Sequence, residues 1–321
     1  MKKQISIFFV AFLFVFQSCS KEIVIQIPQK EPSMLIESVL LPFDVNGPLL
    51  GVNIFETSSV FDTSAKKSIT NANVLIYRNG QLFDTLFYDS SSDHFYPFVF
   101  RPFQGPAAGD HFQLEATAPG FPVVVAETTI PEKVLLDTVT IDRIGFFDES
   151  GLVYSKLSVS FSDPPDEDNF YELVVSAIGE EYKPKAFRSL KTYETFIINE
   201  PHYPPETRID LKNPSRLLFN DKTFAGQHIE MSCYFSANQR FGESHLLNAE
   251  ILAVHLRNVS PEYYHFQTTL LHSSYNRQAD ILYGLGEPLN VASNVENGYG
   301  LFASFNKDKV YLDLDTLTVR R

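Results

Sequence analysis

Cysteine and tryptophan are scarce in this sequence of 321 residues, which has two cysteines and no tryptophan. No pair of cysteines has the short spacing of a structural zinc site. Cys233 lies in the apolar and aromatic stretch Met231 to Ser236, so we expect a buried small hydrophobe rather than a nucleophile. Stability must then come from buried apolar surface, for which a hydrophobic fraction of 44% is ample.

Positive charge is also in deficit. The chain has 26 lysines and arginines against 39 aspartates and glutamates, a formal charge of −13. Removing the first 18 residues would leave 321 − 18 = 303 residues and take away two lysines, which makes the charge −15. Such a body lacks the basic footprint of a nucleic-acid-binding protein. An anionic lipid surface would repel it, so any attachment to a membrane requires another device.

The first 18 residues have the pattern of a signal peptide. Lys2 and Lys3 form a cationic start, an apolar run follows from Ile5 to Phe16, and the small Ser18 precedes a cysteine. The run is too short to span a bilayer comfortably. The pattern predicts a lipoprotein signal peptide over residues 1–18. The alternative is an ordinary secretory signal that happens to be followed by a cysteine.

Lipoprotein processing would make Cys19 an acylated N-terminus, whose fatty chains hold the rest of the protein on a membrane. Cys19 is the one site residue that the sequence predicts, as a lipidation site, and with it lipidated no intrachain disulfide remains available. Residues 19–33 have the charged and proline-containing composition of an extended tether. Lys21 and Glu22 also resemble a short signal that directs lipoproteins to the cell-surface face of the outer membrane.

Aromatic residues other than tryptophan are abundant, with 29 phenylalanines and 15 tyrosines, which favours β structure. The turn dipeptide Asn79-Gly80 separates the apolar runs Asn73 to Tyr77 and Leu82 to Tyr88, the strongest hairpin signal in the chain. Strict alternation from Phe112 to Thr117 predicts a strand with one buried face. We expect an immunoglobulin-like β-sandwich domain over residues 34–131.

A second β-rich domain is predicted over residues 132–321, because Pro131 interrupts the strand pattern and a new one follows. Apolar alternation predicts further strands around Leu157, Leu173, Val254 and Leu312. Ser260-Pro261-Glu262 has the capping residue, the proline and the acidic residue of a helix start. One helix from there to near Tyr275 should cover one face or end of the second sheet.

Candidate sites are few, and each has a simpler explanation. The acidic loop could supply oxygen ligands to Ca²⁺, but solvated turn carboxylates are the commoner explanation; its members are Asp163, Asp166, Glu167 and Asp168. His265 and His272 share a helical face but lie too far apart to bind one zinc ion. Four aromatic residues beside a loop rich in proline and glycine could form a docking patch or belong to the core: Phe95, Tyr96, Phe98 and Phe103.

Sequence motifs for catalysis are missing. There is no His-Glu-x-x-His and no Gly-x-Ser-x-Gly. A pair of carboxylates for glycoside cleavage leaves no fixed spacing in a sequence, so such a pair stays possible. We therefore predict no catalytic residue, no cofactor and no metal ligand.

Several motifs recur in one order after the predicted signal peptide: Asn71-Ala72-Asn73-Val74, Ala126-Glu127-Thr128-Thr129-Ile130-Pro131, Phe161-Ser162-Asp163-Pro164, Asn169-Phe170-Tyr171, Ser260-Pro261-Glu262-Tyr263-Tyr264, Glu287-Pro288-Leu289, and Ser293-Asn294-Val295-Glu296-Asn297-Gly298-Tyr299-Gly300-Leu301-Phe302. Together they resemble the domain of unknown function 4249 family of Bacteroidota, over nearly the whole mature chain. The resemblance implies an outer-membrane lipoprotein, typically encoded near TonB-dependent receptors, with an N-terminal sandwich like the carboxypeptidase regulatory domain. It brings no catalytic residues. The chain departs from the family at Asn220-Asp221-Lys222, where relatives tend to be more acidic.

The expected function is contact rather than chemistry. We expect a lipid-anchored accessory or binding subunit, associated with a TonB-dependent transporter in nutrient uptake and facing the cell surface. A surface enzyme that degrades glycans or peptides, and a structural or adhesion module, are the alternatives. Nothing in the sequence identifies a ligand.

Overall fold

The chain folds into a mostly β structure, which confirms the predicted fold class. The computed structural model describes residues 31–40, 50–58, 66–90, 97–100, 105–147, 149, 151, 153–178, 184–186, 190, 192, 194, 197, 216–236, 240–241, 244–245, 251–283 and 290–320. Within these ranges one helix, α1 (Pro261–Tyr283), accompanies the strands. No helix in them combines the length and the apolar composition that a bilayer-spanning segment requires.

The strands of the described ranges, in chain order, are β1 (Met34–Leu40), β2 (Leu50–Glu56), β3 (Lys67–Ser68), β4 (Asn73–Arg78), β5 (Gln81–Leu86), β6 (Phe98–Phe100), β7 (His111–Thr117), β8 (Val124–Thr129), β9 (Leu136–Phe147), β10 (Val153–Ser162), β11 (Phe170–Ile178), β12 (Pro184–Ala186), β13 (Arg216–Asn220), β14 (His228–Ser236), β15 (Arg240–Phe241), β16 (Ser244–His245), β17 (Ile251–Val259), β18 (Val295–Glu296), β19 (Tyr299–Asp313) and β20 (Val319–Arg320).

The largest sheet in the described ranges has ten strands. Its main order is β12-β11-β17-β19-β1-β2-β3, with β13 beside β11, β6 beside β2 and β20 beside β19. A five-stranded sheet has the order β18-β8-β7-β4-β5, and a three-stranded sheet has the order β14-β10-β9. Strands β15 and β16 form a separate pair.

The N-terminal half is a sandwich of the five-stranded sheet on one end of the ten-stranded sheet. Alternate residues of β1, β2, β4 and β7 fill the space between the sheets, as Ile36, Ile54, Val74 and Leu114 illustrate. Val295 and Phe302, from the C-terminal part of the chain, belong to the same core. The predicted sandwich over residues 34–131 is thus completed by strands that lie far beyond Pro131 in the sequence.

The C-terminal half repeats this arrangement at the other end of the long sheet. The three-stranded sheet contributes Leu157 and Phe161, and the ten-stranded sheet contributes Leu173, Leu256 and Leu312. Strand β19 joins the halves, because it pairs in parallel with β1 and antiparallel with β17. A division into separate domains at residue 131 stays a prediction, since one strand serves both cores.

Several predicted elements are confirmed by the structure. The hairpin β4–β5 turns at Asn79 and Gly80, whose φ angles of 52° and 77° are those of a type I′ turn. Strand β7 alternates buried and half-buried residues as predicted. The predicted strands on either side of the acidic loop, β10 and β11, exist but lie in different sheets, so the loop crosses from one layer to the other.

Asp110 fastens the β4–β5 turn to the start of β7. Its carboxylate accepts hydrogen bonds from Arg78 Nη2, Asn79 Nδ2 and the Ala107 N–H at 2.5, 2.9 and 2.7 Å. Burial alone would raise the pKa of Asp110, but these donors outweigh burial and hold that pKa below its ordinary value. The ionised carboxylate therefore stabilises the folded state.

Asp110→Asn is expected to lower the free energy of unfolding at pH 7 by about 2 kcal/mol, since it replaces charge-assisted hydrogen bonds with weaker ones. Because the pKa of Asp110 is lower in the folded state, its contribution is complete above the ordinary aspartate pKa and disappears as pH falls through the folded value. Urea unfolding between pH 7 and pH 2.5 should show the two proteins converging in acid. Asp137→Asn, at an exposed carboxylate, is the control and should change stability little. A difference that persists unchanged at pH 2.5 would contradict the assignment.

Helix α1 begins at Pro261, as the sequence predicts, but ends at Tyr283 rather than near Tyr275. Ser260 is fully buried and caps the helix, with its Oγ 3.5 Å from the Tyr263 N–H and 3.3 Å from the Ser304 N–H. The helix lies on the face of the ten-stranded sheet opposite the sandwich cores, where it packs on Val259, Leu301 and Phe305.

Candidate functional site

The predicted lipidation site, Cys19, lies outside the described residues, as do the signal peptide and most of the tether. The described chain begins at Glu31, and β1 starts directly after it at Met34. Strand β1 is therefore the first element beyond the predicted tether. It lies inside the ten-stranded sheet, paired with β2 on one side and β19 on the other.

The carboxylates of the predicted acidic loop do not converge. Asp163 is buried and accepts hydrogen bonds from the Tyr171 hydroxyl at 2.5 Å and the Gly226 N–H at 2.8 Å. Asp166, Glu167 and Asp168 point to solvent. Among the described residues, no group of three acidic, histidine or cysteine side chains is placed to hold a metal ion.

Asp163 instead lies buried at one end of the C-terminal core. Burial raises the pKa of its carboxyl, and the hydrogen bonds from Tyr171 and Gly226 offset this only in part. The neighbouring loop, Asn220-Asp221-Lys222, is held at the same end of the core. Asp221 is buried and accepts the Asn169 N–H at 2.7 Å. Both loops are therefore held by buried carboxylates that already have donors.

The other predicted candidates are dispersed. Phe98 is fully buried in the N-terminal core, while Phe95, Tyr96 and Phe103 lie outside the described residues. Both His265 and His272 are exposed on α1. Cys233 is buried in the C-terminal core, as predicted, and burial raises the pKa of its thiol to about 12. Such a thiol is protonated at neutral pH and is not an activated nucleophile.

The densest cluster of charged groups in the described structure was not predicted, and it surrounds Glu172 on β11. Glu172 is fully buried. Its Oε2 accepts from Arg257 Nη1 at 2.6 Å, and its Oε1 accepts from Arg216 Nη1 at 3.1 Å and from the Tyr263 hydroxyl at 2.9 Å. One carboxylate is thus shared by two guanidinium groups and a phenol; we call Glu172, Arg216, Arg257 and Tyr263 the Glu172 cluster.

The cluster lies where the long sheet meets α1. Register places Arg257 on β17 directly beside Glu172, and Arg216 enters from β13 on the other side. Arg216 Nη2 also donates to Gln267 Oε1 at 3.3 Å, one helical turn after Tyr263. The Arg257 guanidinium stacks 4.6 Å from the Phe305 ring centroid. Three strands and the helix are therefore joined through one carboxylate.

The electrostatics of the Glu172 cluster keep Tyr263 protonated. Within the cluster, two arginines face one carboxylate. Burial and the adjacent carboxylate raise the pKa of Tyr263, although the arginines act in the opposite direction, so its hydroxyl stays protonated and donates. The Arg257 Nε is buried and makes no hydrogen bond within the described part of the chain.

The family model described as "Domain of unknown function (DUF4249)" matches residues 20–310. No curated protein matches the chain.

Proposed function

We propose that this chain, which belongs to the DUF4249 family, is a lipid-anchored outer-membrane protein that works by binding rather than by catalysis. In this proposal it is an accessory subunit of a TonB-dependent transporter in nutrient uptake and faces the cell surface. Cys19 carries the lipid, and no catalytic residue, cofactor or metal ion takes part.

The position of β1 is the observation that best supports an anchored role. Residues between Cys19 and Met34 can extend over at most about 50 Å, which keeps the folded body close to the membrane. The strand that receives this tether is hydrogen-bonded along both edges, to β2 and to β19. Tension on the tether would therefore have to break the hydrogen bonds to both neighbours, and an anchored protein benefits from such an attachment.

The state of the buried acids supports binding rather than catalysis. Glu172, Asp163 and Asp110 each accept two or three hydrogen bonds from neighbouring groups that hold them in place. A general acid or base needs a carboxyl that can reach a substrate proton. These three carboxylates are used to join elements of the fold instead.

Anchoring has a direct effect on association. A protein confined to the membrane surface meets a partner in the same membrane at a higher effective concentration than a free protein would. A weak interface with a transporter is then sufficient for a stable complex. This is the physical basis for the proposed accessory role.

Cys19→Ala is expected to abolish incorporation of labelled palmitate and to remove the protein from the membrane fraction, either unprocessed or released. The fold should be unchanged, since Cys19 lies before the first described strand. Cys233→Ala is the matched control, because Cys233 is buried in the C-terminal core and should leave labelling intact. Label retained in the Cys19→Ala protein would refute the anchor assignment.

Purification of the anchored protein from native outer membranes in mild detergent tests the accessory role. A barrel receptor should accompany it in a constant ratio and should be lost with Cys19→Ala. Absence of a barrel partner would favour the structural or adhesion alternative. Turnover of glycans or peptides by the protein from Ser20 onward would establish the enzyme alternative and overturn the proposal.

A further inference from the structure

The predicted tether reaches the fold at one end of the N-terminal sandwich. Its last residue, Ser33, donates its N–H to Thr57 Oγ1 and accepts the Thr57 N–H on its carbonyl oxygen, both at 2.9 Å. Met34 then begins β1 opposite Glu56, at the end of β2. A chain that comes from a lipid at Cys19 therefore meets the folded body here. We call the end of the sandwich that contains Ser33 and Met34 the tether end.

The turn between β7 and β8 also lies at the tether end. A Cβ built on Gly298 would lie 2.8 Å from the Met34 carbonyl oxygen and 2.9 Å from Val124 Cγ1, so β8 begins beside the start of β1. Strand β8 ends far from there, since the carbonyl oxygen of its last residue, Thr129, accepts from Ser304 Oγ at 2.8 Å. Because β8 runs away from the tether end, the turn that precedes it is exposed at that end.

This turn is apolar, although it lies on the surface. The segment from Ala116 to Ala126 contains no aspartate, glutamate, lysine or arginine. Its exposed residues are Pro119, Gly120, Pro122 and Val123. The turn is also ordered, because Phe121 donates its N–H to the Ala118 carbonyl oxygen at 3.2 Å and packs against the N-terminal core. It therefore presents a fixed apolar surface to whatever lies beyond the tether end.

Two aromatic residues after β5 lie at the same end. Register partners cross the five-stranded sheet in one row: Leu86 on β5, Val74 on β4, Ala116 on β7 and Val124 on β8. Phe87 and Tyr88 follow Leu86 in the direction of the tether end, and they are 74% and 38% exposed. We call Phe87, Tyr88, Pro122 and Val123 the apolar rim.

The grouping of these residues is more informative than the exposure of any one of them. Single exposed apolar residues are ordinary on a protein surface, whereas a group of them indicates an interaction surface. The two sides of the apolar rim, β5 and β8, are three strand spacings apart, or roughly 15 Å. A group of this width across the end of a sandwich suits a flat partner.

The tether identifies that partner as the bilayer. Residues between Cys19 and Met34 extend over at most about 50 Å, so the tether end is the part of the body that is held nearest to the membrane. At such an effective concentration, weak contacts are sufficient. Aromatic and aliphatic side chains are favoured at the boundary between headgroups and acyl chains. Copies anchored in one membrane would meet at their sides rather than at this end.

The charges at the tether end favour a neutral lipid surface. Lys66 and Lys67, beside the end of β2, are paired with the carboxylates of Glu37 and Glu56. Glu296, in the hairpin before β19, is exposed. With a charge of −13 on the whole chain, electrostatic attraction to anionic lipid is not the source of contact. Contact depends on the apolar rim.

We propose that the apolar rim seats the tether end on the bilayer, with Phe87 and Val123 entering the boundary between neutral headgroups and acyl chains. This inference rests on the proposed lipid anchor and adds an orientation to it. The sandwich stands on its tether end, and the Asn79-Gly80 turn, at the other end of β4 and β5, points away from the membrane.

Single tryptophans test this contact, because the chain has none of its own. Phe87→Trp and Val123→Trp are made separately in the full lipidated protein, which is then incorporated into phosphatidylcholine vesicles. In both variants the emission should shift to the blue, and it should be lost when the acyl chains are brominated. Both positions are exposed, so the fold should tolerate the changes, and urea unfolding curves would confirm this.

Leu82→Trp is the matched control. Leu82 lies on the same strand as the residue before Phe87 and is 59% exposed, but it is next to the Asn79-Gly80 turn. Five residues of strand separate it from Phe87, or roughly 17 Å. Its emission should be the same in brominated and ordinary vesicles.

Flotation of the protein with the vesicles measures the anchor independently of the rim. Protein that floats but has equal emission in both kinds of vesicle at Phe87→Trp and Val123→Trp would refute the rim contact and leave the anchor intact. Protein that does not float would refute the anchor and the inference with it. A blue shift without quenching would identify a second copy as the occupant, and equal quenching of Leu82→Trp would show contact without orientation; either would overturn the proposal.

Discussion

Gly300→Ala is expected to prevent the protein from folding. Gly300 has a φ of +112°, a conformation that side chains rarely adopt, and a Cβ built there would lie 1.9 Å from the carbonyl oxygen of Ile36. The two residues face each other in the parallel pairing of β1 with β19. We expect a loss of more than about 4 kcal/mol, a large share of the stability of an ordinary protein.

Strand β1 cannot move away to relieve the clash at Gly300, because β2 is paired with its other edge. Ile36 is also paired with Ile54 of β2, and both side chains are buried in the N-terminal core. Shifting β1 away from Gly300 would therefore disturb the pairing and the packing of its other neighbour. The expected result is insoluble protein, or soluble protein without a cooperative unfolding transition in urea.

Gly80→Ala is the matched control for Gly300→Ala. Gly80 also has a positive φ, of +77°, but its Cβ would meet nothing within 4 Å. Only the backbone strain applies there, so a loss of about 1 kcal/mol is expected. If the two alanine variants unfolded at similar urea concentrations, β1 and β19 could not be as closely apposed as the structure has them.

Local chemistry made part of this fold predictable. The β4–β5 hairpin follows from Asn79-Gly80, because few residues tolerate the positive φ angles of a tight turn. The start of α1 follows from Ser260 and Pro261, since a cap and a fixed φ act within one turn. In both cases the residues that determine the structure are adjacent in the sequence.

The pairing of β1 with β19 could not be predicted in the same way. It joins residues 35–40 to residues 299–304, and no local signal specifies a partner at that distance. Gly300 is a local sign of this pairing, because an isolated glycine in a strand indicates a close approach of another backbone.

The Glu172 cluster was missed for a related reason. Glu172 and Arg257 alternate with core residues, a pattern that assigns both to the face of the sheet away from the core. Helix α1 covers the face of the sheet away from the core, so this face forms an interface with the helix instead of facing solvent. The sequence did predict that a helix packs on the second sheet. Charged residues of the sheet that lie beneath such a helix must be paired, and this could have indicated the cluster.

Glu172→Leu is expected to destabilise the protein by about 3–5 kcal/mol. The substitution removes the buried carboxylate with which both Arg216 and Arg257 are paired beneath α1. Tyr263 also loses the acceptor of its hydroxyl. Urea unfolding followed by circular dichroism would measure the change, and α1 should become the first segment to exchange its amide hydrogens.

A combined variant separates lost charge balance from lost packing. Glu172→Leu together with Arg216→Met and Arg257→Met replaces the whole charged group with apolar side chains, and much of the stability should return. Glu37→Gln is the control at a solvated ion pair, where the carboxylate is 41% exposed and its partner Lys66 67% exposed, and should cost under about 1 kcal/mol. If Glu172→Leu cost no more than Glu37→Gln, the two arginines would have to be solvated rather than neutralised by Glu172. Recovery in the combined variant would show that Glu172 is needed because the arginines are there.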